Sequence, residues 1–273
     1  MSLAILEHYL PRGATDALPT QDAGALIGIA DRLDTIVGII GIGKLPTGAA
    51  DPFALRRAAL AIINITLGRH YRFSLGKAID KALDLLGAKV ADRAKARTQV
   101  LDFFRERLKN LWADAARKDV IEAVLSAGFD DMVDAKERLN AMAAIVGRAD
   151  FEPLAVAFKR VVNIVEKQAK DVQAVSVDAA LLGEEAEKAL FQGLEASRGK
   201  IAEAVKARDF AGALNQIASL KPAVDLFFDK VRVLADDPKL KANRVALLVA
   251  IAGLFRDIAD FGKIQAGEQP AKP

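Results

Sequence analysis

The residue types that carry out catalysis in proteins are sparse in this sequence. It contains two histidines, His8 and His70, and no cysteine, so a zinc site built from His and Cys ligands cannot form. Carboxylate pairs such as Asp31 and Asp34 are more typical of a solvated helix face than of acid–base catalysis. The segment GIGKLPTG lacks the spacing of a phosphate-binding P-loop and predicts a connecting turn. The sequence therefore favours binding over bond chemistry.

Basic residues concentrate in one part of the chain. From Arg56 to Lys118 there are fifteen Lys and Arg against six Asp and Glu, a local excess of nine, whereas the whole chain has a formal net charge of +3. A basic belt of this kind attracts polyanions such as nucleic acids. A set of solvated helix faces without a partner is the alternative that the charge count leaves open.

The composition predicts an all-α fold made of multi-helix bundles. Hydrophobic residues make up 52% and charged residues 27% of the 273 residues, with few aromatics. We find no apolar run long enough to cross a bilayer and no signal-peptide pattern at the start. The lack of cysteine is compatible with a reducing, cytoplasmic setting.

Helical periodicity dominates the chain, and cap residues indicate where helices begin. Ser74 precedes one helix that Gly87 closes, and Asp51 with Pro52 predicts an N-cap and a first helical position. The predicted helices are 22–40, 51–68, 74–87, 92–116, 119–126, 130–146, 151–167, 184–207, 210–219, 221–234 and 238–261.

The polar segment KDVQAVSVDAALLGEE separates two helix-dense regions and is the strongest candidate for a domain boundary. We predict a first helical region at 1–75, a helical middle region at 76–170 and a terminal helical bundle at 171–265. The tail 266–273 is predicted to be disordered because it is polar and rich in Pro and Gly.

Several stretches resemble bacterial glycyl-tRNA synthetase β subunits. They are EHYLPRGATDALPT, ADRLDTIVG, IGKLPTGAADPFALRRAALAII and AFKRVVNIVEK. A further stretch, KPAVDLFFDKVRVLADDPKLKANRVALLVAI, is similar to the helical anticodon-binding domain that these subunits share with arginyl-tRNA synthetase. The resemblance runs in register from Ile5 to Gln265. Ala49 stands where the family usually has Ser, and Asn64 where it has Arg, which removes one charge that could touch RNA.

The resemblance implies a C-terminal fragment: the end of an HD-like helical domain, a helical middle region and the anticodon-binding bundle. It implies a cytoplasmic, tRNA-binding piece of a ligase, with tRNA(Gly), the α subunit and the rest of the β subunit as partners. Glycine is activated with ATP and Mg²⁺ on the α subunit in this family, so the fragment is expected to have no catalytic residue and no cofactor. Asp31 matches the last metal ligand of HD phosphohydrolases, but the upstream ligands are missing, so we expect no metal site.

Residues near the Asp236–Asp237 turn are the main candidates for contact with RNA. Lysines neutralise phosphates, Arg and Asn can form directional hydrogen bonds to unstacked bases, and an aromatic ring can stack on them. The candidates for tRNA binding are Lys230, Arg232, Lys239, Lys241, Asn243, Arg244 and Phe228, with Arg105 and Lys109 from the basic belt.

Two of these candidates have structural alternatives. Arg244 falls on the apolar face of its helix, and it either forms an ion pair with Asp225 or Asp229 or contacts RNA. Phe227 and Phe228 are adjacent, so either both are buried between different helices or one packs and the other lies near the surface. At the level of the whole chain, the alternative function is a helical scaffold for subunit or domain contacts with incidental RNA affinity.

Overall fold

The chain is all-α. The computed structural model describes residues 2–13, 15–46, 51–168 and 176–265. Within these ranges it contains twelve α-helices and no strand, as predicted. The helices are α1 (Ser2–Glu7), α2 (Asp22–Gly41), α3 (Leu55–Gly68), α4 (Leu75–Leu86), α5 (Arg93–Leu111), α6 (Lys118–Ala127), α7 (Met132–Val146), α8 (Phe151–Asn163), α9 (Glu185–Lys206), α10 (Phe210–Ala218), α11 (Lys221–Lys230) and α12 (Pro238–Gly253).

The helices form two compact units. The first unit comprises Met1–Asp114 and Phe129–Lys136, and the second comprises Ala115–Gly128 and Glu137–Pro273. In the first unit, α2 packs against α1, α3, α4 and α5. Trp112, the single tryptophan of the sequence, is 2% exposed and belongs to this unit. Its fluorescence therefore reports on the first unit.

Two side chains fix the start of the first unit. The Glu7 carboxylate accepts hydrogen bonds from the Thr20 hydroxyl at 2.6 Å and from the backbone N–H groups of Thr20 and Gln21 at 3.0 and 2.9 Å. These bonds satisfy donors at the N-terminus of α2, and they lower the pKa of Glu7. Arg32, within α2, donates to the carbonyls of His8 and Tyr9, each at 2.8 Å. The residues at the end of α1 are therefore bonded both to the start of α2, through Glu7, and to its middle, through Arg32.

In the second unit, α12 packs against α8 and α9, and a cluster of aromatic rings joins α8 to the segment after α12. Phe158 of α8 meets Phe255 edge-on at 5.3 Å between ring centroids, and Phe255 and Phe261 lie 4.8 Å apart. Helix α11 packs against α8 and α9. All three rings are at most 2% exposed, so they contribute apolar burial as well as favourable ring geometry.

Some helix starts follow the predicted caps, and one does not. The side chains of Ser74 and Asp92 accept hydrogen bonds from the N–H groups of Lys77 and Lys95, as N-caps do. The helix predicted to start at Asp51 begins instead at Leu55, after Ala54 in a left-handed conformation with φ of 54°. The left-handed backbone of Ala54 interrupts the helical conformation, so the helix starts at Leu55, which is fully buried.

Three helices end earlier than predicted. Helix α5 ends at Leu111 rather than near 116, α11 ends at Lys230 rather than 234, and α12 ends at Gly253 rather than 261. After α11, Val231 is extended, with φ of −114° and ψ of 124°. Extended chain puts alternate side chains on one side, so Val231 and Val233 are both buried while Arg232 between them is exposed. Burial of two valines thus overrides the helical period.

Asp119 anchors the end of the described chain to the start of α6. Its carboxylate is 3% exposed and accepts from the Arg117 guanidinium at 2.7 Å and from the backbone N–H of Gln265 at 2.7 Å. A third bond comes from the backbone N–H of Val120 at 2.9 Å. Burial raises the pKa of Asp119, but the hydrogen bonds from Arg117 and Gln265 outweigh it, so the net pKa lies below its ordinary value.

We expect Asp119 to make the second unit sensitive to acid. Because its folded pKa is depressed, its contribution is present above the unfolded pKa of about 3.9 and is lost as the pH falls through the folded value. Asp119→Asn should lower the free energy of unfolding at pH 7 by about 2 kcal/mol and flatten its decline in acid. Urea unfolding followed by circular dichroism between pH 7 and strongly acidic pH measures both. Asp257→Asn, at an exposed residue of the same unit, should leave the pH profile unchanged, and an unflattened profile for Asp119→Asn would contradict the assignment.

Candidate nucleic-acid interface

The turn between α11 and α12 is built by Asp237 and Pro238. The Asp237 carboxylate accepts from the backbone N–H groups of Lys239 at 2.7 Å and Leu240 at 3.3 Å, and Pro238 takes the first helical position. Both roles were predicted from the sequence and are confirmed. The carboxylate of Asp237 is engaged in this cap, and its negative charge at the helix N-terminus interacts favourably with the helix dipole.

Four candidate cations lie around this turn. Lys230, Arg232 and Lys239 are exposed, and Lys241 is half-buried. Arg232 pairs with Asp236 at 3.2 Å, but both side chains are more than 70% exposed, so the pair contributes little and can open. Among the described residues, no carboxylate pairs with any of the three lysines. These side chains are therefore available to a polyanion.

Asn243 is occupied within the fold. It is 5% exposed, its Oδ1 accepts from the backbone N–H of Asp178 at 2.7 Å, and its Nδ2 donates to the carbonyl of Asp178 at 3.0 Å. The Asn243 amide therefore bonds both backbone groups of Asp178 and joins α12 to the segment before α9. In this conformation Asn243 holds the bundle together.

Arg244 is also engaged. Its guanidinium pairs with Glu187 of α9, whose side chain is fully buried, and it donates to the carbonyl of Arg232 at 2.8 Å. An ion pair was one of the two predicted alternatives, but the predicted partners, Asp225 and Asp229, were wrong. Glu187 also accepts from the N–H of Glu184 at 2.9 Å in a capping box at the start of α9, so one carboxylate serves both the cap and the ion pair.

The two adjacent phenylalanines have different environments. Phe227 is fully buried, and Phe228 is half-buried, with the rings 5.6 Å apart in an edge-to-face arrangement. One packs and the other lies near the surface, as the second alternative predicted. Arg160 of α8 lies over the Phe228 ring, 4.2 Å from its centroid.

Arg105 and Lys109 belong to α5 in the first unit. Both are half-buried, and Lys109 lies 3.3 Å from Glu106 one turn earlier. Other arginines of the basic belt pair with acids of α4, among them Arg93 with Asp84. Carboxylates therefore neutralise part of the positive charge that the sequence count indicates.

The described residues bring together no group of three or more His, Asp or Glu side chains that could hold a metal ion. Asp31 is exposed on α2, and the ring of His8 hydrogen-bonds the carbonyl of Ile5 at 2.6 Å. The lack of a metal site stays a prediction for the chain as a whole. The helices of the described ranges also fall short of the length and hydropathy of a membrane-spanning segment.

Comparison with known proteins identifies the family. Residues 1–126 match the family model of the glycyl-tRNA synthetase β subunit, and residues 154–269 match that of the DALR anticodon-binding domain. The chain is 61% identical to the glycine–tRNA ligase β subunit of Myxococcus xanthus (strain DK1622) over 272 residues, which is 97% of this chain. It is 51% identical to that of Anaeromyxobacter sp. (strain K) and 50% identical to that of Geobacter sp. (strain M21), over 98% and 96% of this chain. The chain belongs to the glycyl-tRNA synthetase β subunit family.

The chain spans 39% of the length of the Myxococcus protein and 38% of the other two, and it aligns with their C-terminal part. The anticodon-binding match lies within the second unit, which holds α8 to α12. The borders 1–75, 76–170 and 171–265 stay predictions. Residues 169–175, where the last border falls, and the tail 266–273 lie outside the described residues.

Three partners were not predicted from the sequence: Glu187, Asp178 and Arg160. Glu187 carried a local signal, because Glu184 and Glu187 have the spacing of a capping box. Asp178 and Arg160 carried none, since they are 65 and 68 residues from the side chains they meet. Only the packing of the second unit brings them together.

Proposed function

We propose that this chain is a tRNA-binding region of a glycine–tRNA ligase β subunit that positions tRNA(Gly) for aminoacylation at the α subunit. The match of residues 154–269 to the anticodon-binding domain carries the proposal. The exposed lysines Lys230 and Lys239 at the α11–α12 turn support it, because they can neutralise phosphates without breaking an ion pair with any described carboxylate.

Within this proposal the polar candidate residues divide into two groups at the α11–α12 turn and a third group in the first unit. Lys230, Arg232, Lys239 and Lys241 contact RNA directly, and Asn243 and Arg244 hold the turn that presents them. Arg105 and Lys109 in the first unit contact the body of the same tRNA.

The contribution to catalysis is one of position. Holding the tRNA lowers the entropic cost of bringing its 3′ end to a reactive site. ATP, Mg²⁺ and glycine act on the α subunit, and this chain supplies no cofactor ligand. The protein works in the cytoplasm, with the α subunit and the rest of the β subunit as partners.

The salt dependence of tRNA binding tests the proposal. We expect the chain to bind tRNA(Gly) more tightly than the same tRNA with changed anticodon bases, and to keep that preference at moderate salt.

Lys230→Met and Lys239→Met should each lower the slope of log K against log salt by about 0.7, because each removes one phosphate contact. Lys200→Met, at an exposed lysine of α9, is the matched control and should leave the slope unchanged. Equal binding of both tRNAs, with slopes unaffected by Lys230 and Lys239, would contradict the proposal.

A helical scaffold is the second candidate function, and one observation favours it. Large apolar side chains exposed on the described residues concentrate in the first unit, among them Leu6 at 68%, Leu26 at 55% and Leu85 at 72%. Leu26 and Leu85 line a groove of about 560 Å³ in that unit. Exposed apolar patches of this kind mark protein interfaces. Equal binding of the two tRNAs above would favour this function, with RNA affinity incidental.

A further inference from the structure

A groove between α8 and α11 in the second unit has features of a binding site. Its volume is about 400 Å³, within the range of about 300–1,000 Å³ that is typical of small-ligand sites. Val156 and Arg160 of α8 line one side, and Asp225 and Phe228 of α11 line the other. Val156 is 53% exposed, so the groove offers an open apolar wall.

The Arg160–Phe228 pair is the distinctive part of this groove. The guanidinium lies over the ring at 4.2 Å from its centroid, and Arg160 remains exposed to solvent. Within the described ranges no carboxylate forms an ion pair with Arg160. The Phe228 ring thus holds the guanidinium of Arg160 on one face, and the remaining surface of the guanidinium is accessible to solvent.

The acidic residues of the groove are already paired. Asp225 forms an ion pair with Lys221 one turn earlier on α11, and Glu152 lies 3.4 Å from the Arg117 guanidinium. Lys221 balances the charge of Asp225, whereas Arg117 shares its single positive charge between Glu152 and Asp119. Among the described residues that line the groove, Arg160 is the cation without a carboxylate partner. A flat π surface and an attached or adjacent negative charge are the two features that suit an occupant of this pair.

An unpaired nucleobase in an RNA loop meets both requirements. Bases that leave the helical stack are bound by aromatic rings and by guanidinium planes, and the phosphates on either side of the base are attracted to cations. Phe228 is followed in the chain by Lys230 and Arg232, the exposed cations already described. We propose that Arg160 and Phe228 form a stacking platform for one unpaired nucleobase of the tRNA loop. This inference rests on the proposed function.

Abasic tRNA(Gly) transcripts test the platform. Each transcript lacks one base of the anticodon loop and keeps its phosphates, and its affinity for the 273-residue chain is compared with that of intact tRNA(Gly). One abasic position should weaken binding to the unaltered chain by about 5- to 150-fold, the range for loss of one stacked base.

The variants then assign that loss to the platform. Phe228→Leu keeps an apolar side chain and removes the ring, and Arg160→Lys keeps the charge and removes the planar guanidinium. Both should bind intact tRNA(Gly) more weakly and lose the penalty at that abasic position, while Arg160→Lys keeps the salt slope. Arg256→Met, at an exposed arginine of the same unit, should keep the full penalty. Circular dichroism checks that each variant is folded.

The outcomes separate the two proposals. If Phe228→Leu and Arg160→Lys keep the anticodon preference and still lose as much affinity at the abasic position as the unaltered chain does, the platform alone is overturned. Failure of the unaltered chain to bind tRNA(Gly) would overturn both. The first of these outcomes is also the one expected if Arg160 and Phe228 stack against another protein rather than against RNA.

Discussion

Arg244→Met is expected to lower the free energy of unfolding of the second unit by about 3–5 kcal/mol. The substitution leaves the carboxylate of Glu187 buried at 0% exposure without a counter-charge, and it removes the donor to the carbonyl of Arg232. Breaking one side of a buried pair is costly, because the remaining charge has already lost its hydration.

Urea unfolding followed by circular dichroism measures this loss, and Trp112 fluorescence serves as an internal control for the first unit. Glu187→Gln combined with Arg244→Met should recover part of the lost stability, because no buried charge remains. Arg232→Met is the matched control, since its pair with Asp236 is exposed and should change stability by less than about 1 kcal/mol. If Arg244→Met reduces tRNA affinity without reducing stability, its role is contact with RNA.

Arg138→Met is the second substitution with a large expected effect. Arg138 is 3% exposed, and its guanidinium donates to the carbonyls of Val124, Ile258 and Gly128. These carbonyls belong to α6, to the segment after α12 and to the turn that follows α6. Methionine fills much of the volume but donates nothing, so two buried acceptors and one half-buried acceptor lose their partner, at about 1–3 kcal/mol for each buried one before relaxation.

We therefore expect Arg138→Met to lower the free energy of unfolding by about 3–5 kcal/mol, again measured with urea and circular dichroism. Arg198→Met gives a matched control, because Arg198 is exposed and pairs only one turn away with Glu195. A loss below about 1 kcal/mol for Arg138→Met would mean that water replaces the guanidinium, and that the arginine does not join these segments.

The parts of the fold that could be predicted are those set by local chemistry. Ser74, Asp92 and Asp237 cap helices through hydrogen bonds to N–H groups two or three residues away, so a short window of sequence contains the whole interaction. The end of α11 could not be predicted in this way. It depends on the burial of Val231 and Val233, which neighbours distant in sequence decide.

The candidate site shows the same division. The exposure of Lys239 at the start of α12 follows from the cap at Asp237, whereas the exposure of Arg232 depends on the extended chain after α11, which the sequence did not predict. The roles of Asn243 and Arg244 do not follow from any local pattern, because their partners lie 65 and 57 residues away. Periodicity placed Arg244 on an apolar face, but it gave no information on which carboxylate would meet it.

The side chain of Asn243 joins two parts of the chain that are 65 residues apart, through the backbone of Asp178. Two hydrogen bonds of 2.7 and 3.0 Å bring together the start of the segment before α9 and the first turns of α12. The intervening helices thus leave and return to nearly the same point. Because its ends are joined, the segment 178–243 is a closed loop of the chain that contains the whole α11–α12 turn with its cations.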